Sequence, residues 1–486
     1  MSKDILNLDP KPLWKHFYSL TQIPRPSKKE AAVIKFVKEF GESLGLETIV
    51  DEVDNVIIKK PATPGMENRK GIILQGHLDM VPQANSGSNF DFEKDPIDAY
   101  VDGDWVTANG TTLGADNGMG VAAAMAVLES KDLVHGPVEA LFTIDEETGM
   151  TGAFGLKSGL LDGDILLNMD SEDEGELYVG CAGGTNANIR FEYTEEAAPT
   201  GFSAFRLSVS GLKGGHSGID IPLERGNSNI LLFRFLYEAS QKRSVLISSI
   251  SGGSLRNAIP RESFAIIMLA NDEVSRMKEE LANYEKDVQS ELSSADPGVQ
   301  LTLEEVDQPS GVMDGNTTSK LIKAIYACPN GVVRMSMDME GLVETSTNLA
   351  IVKTNNSGVD IQCLLRSSVD SAREDLKNKF VCVFELAGAK IGFDGEYPGW
   401  KPNMDSPILK ASQKVYQDMY GTIPEIRAIH AGLECGLLGG VYPNWDMLSF
   451  GPTIRFPHSP DEKVNIETVV KFWDFLVEIL KNAPKK

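Results

Sequence analysis

Basic residues are in short supply in this chain. Lysine and arginine total 46 against 70 aspartates and glutamates, a formal charge of −24. A surface of that sign repels polyanions, which argues against nucleic acid or an anionic membrane as a partner. Cysteine is scarcer: Cys181, Cys328, Cys363, Cys382 and Cys435 are odd in number and include no Cys-x-x-Cys pair. Such usage fits a reducing compartment and argues against a disulfide framework or a thiolate zinc site. No apolar run is long enough to span a bilayer, and the stretch from Met1 to Asp9 lacks the apolar core of a secretory signal. A cytoplasmic location is therefore expected. At 486 residues the chain exceeds what one ordinary core organises, and two or three domains are predicted.

What the chain does contain is a histidine and an aspartate delivered at the end of an apolar run, Leu74-Gln75-Gly76-His77-Leu78-Asp79. Gly71 to Leu74 reads as a short buried strand, and in open α/β sheets ligands bind beyond the carboxyl ends of such strands. The pattern recurs. Val138 to Ile144 runs into Asp145-Glu146-Glu147, Asp164 to Met169 runs into Asp170, and a glycine-punctuated loop carries Gly114-Ala115-Asp116-Asn117-Gly118 before an alanine-rich helix from Val121. Much later comes His458, in Phe456-Pro457-His458-Ser459-Pro460. Any one of these acids taken singly reads as a solvated loop residue or a helix cap; coincidence at four successive elements is a different matter. Nitrogen and carboxylate donors without thiolates suit a catalytic zinc site, and the set is large enough for two metals with Asp116 able to bridge them.

Strands alternating with helices through the first 185 residues predict an α/β catalytic domain with a mostly parallel mixed sheet covered by helices on both faces. Ser27-Lys28-Lys29-Glu30 reads as a capping box for a helix carrying Val33, Val37, Phe40 and Leu44 and stopped by Gly45. From 186 to 398 the character changes to a βαββα order followed by another strand, a split-βαβ unit with a second, fainter copy after it. This reads as an α+β lid inserted into the catalytic domain, which resumes over 399–486 and closes on an amphipathic helix from Ile466 to Leu480.

Gly76-His77-Leu78-Asp79, Gly114-Ala115-Asp116-Asn117-Gly118, Asp145-Glu146-Glu147-Thr148-Gly149, Asn168-Met169-Asp170 and Gly214-Gly215-His216-Ser217-Gly218 together resemble the co-catalytic zinc exopeptidase family that includes aminoacylase and carnosinase. The order, spacing and length are most similar to its bacterial aminoacyl-histidine dipeptidases. That resemblance implies that His77 and Asp170 bind one zinc, that Glu147 and His458 bind the other, and that Asp116 bridges them and is followed by a cis peptide. Cobalt or manganese are possible replacements for zinc. It implies Asp79 as the orienter of His77 and Glu146 as general base. It further implies that His216 and Asn257 reach the substrate from the lid and that Arg366 holds its free carboxylate. Glu434 is the candidate for the substrate ammonium. The implied activity is hydrolysis of unblocked dipeptides by a homodimer whose lid closes by hinge motion near residues 185 and 398. Two other readings stand beside it: a hydrolase of N-acyl amino acids, for which Glu434 has no ionic partner, and a non-catalytic metal-binding scaffold, for which an unliganded Glu146 has no use.

Overall fold

Ile72, Ile73 and Leu74 offer solvent no polar alternate, so a strand made from them must be covered on both faces. In the computed structural model, which describes residues 3–355 and 358–486, they open the strand Ile72–His77, buried along its whole length. The chain divides into two compact units. One comprises the stretch up to Gly180 with Pro402–Ala428 and Leu433–Lys486; the other comprises Cys181–Lys401 and Ile429–Gly432.

The first unit begins with helices α1 (Lys11–Thr21) and α2 (Ala31–Ser43). Its early strands are β1 (Glu47–Val50), β2 (Val56–Lys60), β3 (Ile72–His77), β4 (Val138–Thr143), β5 (Ile165–Asn168) and β6 (Glu176–Cys181). Helix α3 (Ala115–Glu129) lies between β3 and β4 and is buried on every side, which its run of alanines permits because small side chains let neighbours approach from all directions.

Strands β7 (Gly183–Glu192), β8 (Phe202–Ser210), β9 (Leu246–Gly252), β10 (Ser263–Ala270), β11 (Gln300–Glu305), β12 (Val343–Asn355), β13 (Gly358–Ser367) and β14 (Lys390–Tyr397) build the second unit. Its helices are α4 (Ser228–Ser240), α5 (Val274–Glu291), α6 (Gly315–Ala327) and α7 (Asp370–Leu386). The chain then returns to the first unit with α8 (Pro407–Tyr420), β15 (Glu425–Ile429), α9 (Glu434–Val441), β16 (Asp446–Ser449) and α10 (Ile466–Lys481). Helix α10 buries Val469, Phe472, Phe475, Leu476, Ile479 and Leu480 on one stripe, each side chain contributing about 1.5–3 kcal/mol.

In the first unit the sheet order is β1-β2-β4-β3-β5-β16-β6-β15. Its centre, β4-β3-β5-β16, is parallel, whereas β1 with β2, β2 with β4 and β16 with β6 pair antiparallel. The carboxyl ends of β3, β4 and β5 thus emerge side by side, at His77, Thr143 and Asn168. The expected capping box does not form. Glu30 stands before α2 without a side-chain cap bond, while the Ser27 hydroxyl donates to Asp79 Oδ2 at 2.8 Å and Glu30 Oε1 accepts from the backbone N–H groups of Lys28 and Asp145 at 2.8 and 3.2 Å. A tertiary partner takes the Ser27 hydroxyl away from its local use, and Glu30 divides between Lys28 nearby and Asp145 from β4's end.

Nine strands form the main sheet of the second unit, eight of them in the order β11-β8-β10-β9-β12-β13-β7-β14. The chain order β8-α4-β9-β10-α5-β11 and the spatial order fourth-first-third-second define a ferredoxin-like half. The second half, β7-α6-β12-β13-α7-β14, shows the same order in mirror sequence along the sheet. Its first strand precedes the whole of the first half, which is therefore nested inside it. The two halves meet where Ser251 and Gly252 of β9 pair with Lys353 and Val352 of β12, over a common core that includes Leu207, Leu232, Leu236, Ile267, Phe380 and Phe384.

Candidate metal centre

Five donors converge where β3, β4 and β5 end. His77 Nε2 lies 3.1 Å from Asp116 Oδ1 and 3.3 Å from Asp170 Oδ1. His458 Nε2 lies 3.2 Å from Asp116 Oδ2 and 3.0 Å from Glu147 Oε2. Each oxygen of Asp116 therefore faces a different histidine and a different carboxylate. The sets His77, Asp116, Asp170 and Asp116, Glu147, His458 each bring one donor atom per residue within 4.8 Å of one another.

Backbone geometry places these groups. Asp116 enters α3 across a cis peptide to Asn117, and the Asn117 amide donates to Met169 O at 2.6 Å, linking this turn to the residue before Asp170. Gly76 is required at the end of β3, because a Cβ there would collide with Asn117 Oδ1. Asp145 takes the left-handed conformation at φ 52°, turning the chain out of β4 so that Glu146 and Glu147 start a short helix, Glu146–Gly149. Asp79 then fixes that turn: its Oδ1 accepts from Glu146 N at 3.0 Å and its Oδ2 from Glu147 N at 3.2 Å. The same Oδ1 lies 3.3 Å from His77 Nδ1.

The electrostatics call for cations. Burial alone would lower the His77 pKa, but Asp170, Asp116 and Asp79 outweigh it and hold the ring well above its ordinary value. His458 is pushed up to about 11 by bonds to Asp116 and Glu147. Burial raises Asp170 to about 7, Asp116 and Glu147 adding to it against His77. Glu146 is raised well above a normal carboxyl by burial, with His77 opposing and Asp170, Glu434 and Glu147 reinforcing it. Glu147 Oε1 and Asp170 Oδ1 are buried without a hydrogen-bond partner. Buried carboxylate oxygens left without donors, beside two imidazoles, suit a pair of divalent cations with nitrogen and oxygen ligands. Distance alone also groups Glu146 with His77 and Glu147. A further acidic cluster, Glu30, Asp79 and Asp145, differs: backbone N–H and hydroxyl donors already occupy it, among them Thr148 and Thr151 on Asp145.

Behind the centre runs a buried polar chain that the sequence did not announce. Glu434 Oε2 accepts from Gln75 at 2.6 Å and from Thr143 at 2.8 Å. Gln75 Oε1 in turn accepts from Asn168 at 2.5 Å, and Asn168 Oδ1 accepts from the Ser449 hydroxyl and from Asp170 N. Glu434 is 1% exposed, burial lifts its pKa to about 7, and its Oε1 has no partner.

The remaining candidates lie on the second unit. His216 pairs with Ala258 in a two-stranded ribbon, and its Nδ1 accepts from Gly218 N at 3.2 Å and Ile219 N at 3.1 Å. Burial, then Arg366, lowers its pKa against Asp220, so the ring is neutral with its proton on Nε2. Asn257 is exposed and its carbonyl accepts from Ser217 N. Arg366 lies near the end of β13 and is only 4% exposed. Its Nη1 donates to the Tyr397 hydroxyl at 3.2 Å, its Nε has no partner, and among the described residues no carboxylate pairs with it. His430, not singled out from sequence, shares this surrounding: its Nε2 lies 2.7 Å from Ser346 Oγ.

Comparison with known proteins follows this geometry. Residues 73–482 match the model of peptidase family M20/M25/M40. The chain is 45% identical over 483 residues, covering 99% of it and 100% of its relative, to the cytosol non-specific dipeptidase of Escherichia coli strain K12. The structure superposes with a TM-score of 0.95 at 50% identity on the aminoacylhistidine dipeptidase of Vibrio alginolyticus, covering 99% of this chain and 98% of that one. A tripeptidase of Staphylococcus aureus shares the fold, with a TM-score of 0.56 at 16% identity over 98% of each chain.

Proposed function

The chain belongs to peptidase family M20/M25/M40, and from that premise we propose that it is a cytoplasmic metal-dependent dipeptidase cleaving unblocked dipeptides, Xaa-His among them. The observation that carries this reading is Asp116, whose two oxygens face two separate histidine-carboxylate sets, with Glu146 beside them. His77 and Asp170 would hold one cation, Glu147 and His458 the other, and Asp116 both; zinc is the favoured metal. Bound there, the cations supply polarisation of the scissile carbonyl and a water acidified towards neutrality.

Glu146 accepts the proton of the attacking water and returns it to the leaving amine, a task for which a carboxyl with a pKa raised by burial is suited. Asp79 orients the His77 ring and, through two backbone N–H groups, the Glu146-Glu147 pair. The neutral His216 offers Nε2–H to the developing oxyanion, with Asn257 a second donor to the substrate. Arg366, buried and without a carboxylate partner among the described residues, is available to a free substrate carboxylate in bidentate fashion. Glu434 serves the substrate ammonium. A homodimer is proposed as the assembly, to be measured by light scattering.

A panel of free dipeptides, amidated dipeptides, tripeptides and N-acyl amino acids, assayed with zinc, cobalt or manganese against a chelated control, tests this function. Free dipeptides should be cleaved only with metal. Hydrolysis of N-acyl amino acids in preference to dipeptides would replace the reading with an acylase, and equal rates on an amidated dipeptide would remove Arg366 from carboxylate recognition.

A further inference from the structure

Glu462 is 2% exposed, four residues beyond His458, and accepts hydrogen bonds from four consecutive backbone N–H groups. Its Oε2 accepts from Leu113 N at 2.8 Å and Gly114 N at 3.0 Å; its Oε1 accepts from Ala115 N at 2.7 Å and Asp116 N at 3.2 Å. One carboxylate thus uses both oxygens on the backbone that leads into Asp116. On the carbonyl side of the same loop stands Arg25, also 2% exposed, whose Nη2 donates to Gly114 O and whose Nη1 donates to Leu78 O and Asp79 O at 3.0 and 2.9 Å. Gly114 takes φ 72° between them, and a Cβ there would meet Arg25 Nη2 at 2.5 Å.

We propose that Glu462 is a positioning residue for the two-metal site: its carboxylate ties the loop carrying His458 to the loop carrying Asp116, so that the His458 and Glu147 set keeps register with the bridging carboxylate. The inference rests on the two-metal reading above. It predicts an asymmetry. His77 and Asp170 issue from the ends of the parallel strands β3 and β5 and keep their places without Glu462. His458 sits on a loop with its side chain 51% exposed, and beside its own contact with Asp116 at 3.2 Å the four bonds made by Glu462 join that loop to the backbone leading into Asp116. Loss of those bonds should therefore weaken the second cation and spare the first. Charge-assisted bonds to a buried carboxylate are strong enough for such an effect.

The test titrates the metal-free full-length protein with cobalt(II), following visible absorption and bound metal after dialysis, for wild type and for Glu462→Gln and Glu462→Asp. Glutamine keeps the shape, yet its amide nitrogen opposes two of the four N–H donors; aspartate keeps the charge and falls short by one methylene. Wild type should bind two equivalents; a single equivalent would defeat the two-metal reading itself, independently of Glu462. In Glu462→Gln the first equivalent should bind as in wild type, the second at least tenfold more weakly and with an altered spectrum. With metal saturating, kcat should fall by tenfold or more while KM stays within about twofold. Glu462→Asp should lie between. Two equivalents bound with wild-type affinity and spectrum would overturn the proposal. So would equal weakening of both equivalents with a parallel loss of thermal stability, or failure of both variants to fold, since either would assign Glu462 to the fold and not to the site.

Discussion

Glu146 and Glu147 are neighbours in sequence to which opposite duties are proposed. Glu147 faces His458 at 3.0 Å, while Glu146 is left with a carboxyl that burial keeps protonatable. Glu146→Gln should retain the metal content of the wild type and lose about 10²- to 10⁴-fold in kcat; metal analysis beside turnover separates this from damage to the site, and near-normal turnover would refute the assigned base. A second side chain makes a pH prediction. His430 is pushed down to about 3 by burial, then by Arg366. A histidine depressed in the folded state contributes stability that is fully present above its unfolded pKa of about 6.5 and is lost as pH falls from there towards 3, by about 1 kcal/mol per pH unit. Urea unfolding of metal-free wild type and His430→Gln between pH 7 and 5 should show the difference between them shrinking as pH falls. Parallel curves would contradict it.

At the scale of elements, the seam between the two halves of the second unit is thin in strand pairing and thick in asparagine. Asn227 caps α4 by accepting from Asn229 N and Ile230 N, and its amide donates to Leu349 O at 3.0 Å in the other half. The Asn348 amide donates back to Ala258 O at 2.7 Å. Asn227→Ala removes a cap and leaves Leu349 O with the Asn229 amide at 3.3 Å in place of two donors, so it should cost about 2 kcal/mol, read as a lower urea midpoint with metal binding intact; an unaltered midpoint would show the seam to be held by apolar packing alone.

The same seam shows what a sequence can and cannot disclose. Strand ends carrying His77, Glu146 and Asp170 stand out because an apolar run that stops on a charged residue is a local pattern. Helix α10 is equally plain from its period. The second copy reads from sequence only as a faint one following the first, and not as the half that encloses it, because its first strand, β7, lies ahead of the intact copy and no fixed period relates the two. Ser27 misleads for a related reason: its capping pattern is local, while its partner Asp79 is not, and Glu30 shares its oxygen between Lys28 and the distant Asp145. Gln75, Asn168, Ser449 and Glu462 are buried polar residues whose meaning lies wholly in distant partners; Glu462 is 349 positions from Leu113. Arg25 alone left a trace, as a cation held between Pro24 and Pro26.

For the molecule as a whole, a charge of −24 with five carboxylates gathered in one buried place makes cations part of its stability. Each site occupied at a hundredfold excess over its dissociation constant should add about 2.7 kcal/mol to the folded form. Scanning calorimetry with and without a chelator should therefore show a transition moving down on metal removal, and returning on addition of zinc; a profile indifferent to chelation would leave the clustered acids without a counter-charge and exclude tight binding. The added stability belongs to the unit that holds Asp116.

In the first unit β16 stands between β5 and β6, although it is made about 280 residues after β5 ends. In the second, β7 waits about 165 residues for β13, roughly 10–30 s of synthesis. A growing chain can therefore complete the nested half first, while β7 and the facing edges of β5 and β6 remain open and exposed to wrong pairing. Of the site residues named above, His458 and Glu462 are made last. On the proposed ligand set, a nascent polypeptide that has not reached His458 lacks one of the five metal-binding side chains, so hydrolysis is expected only after that residue has been made.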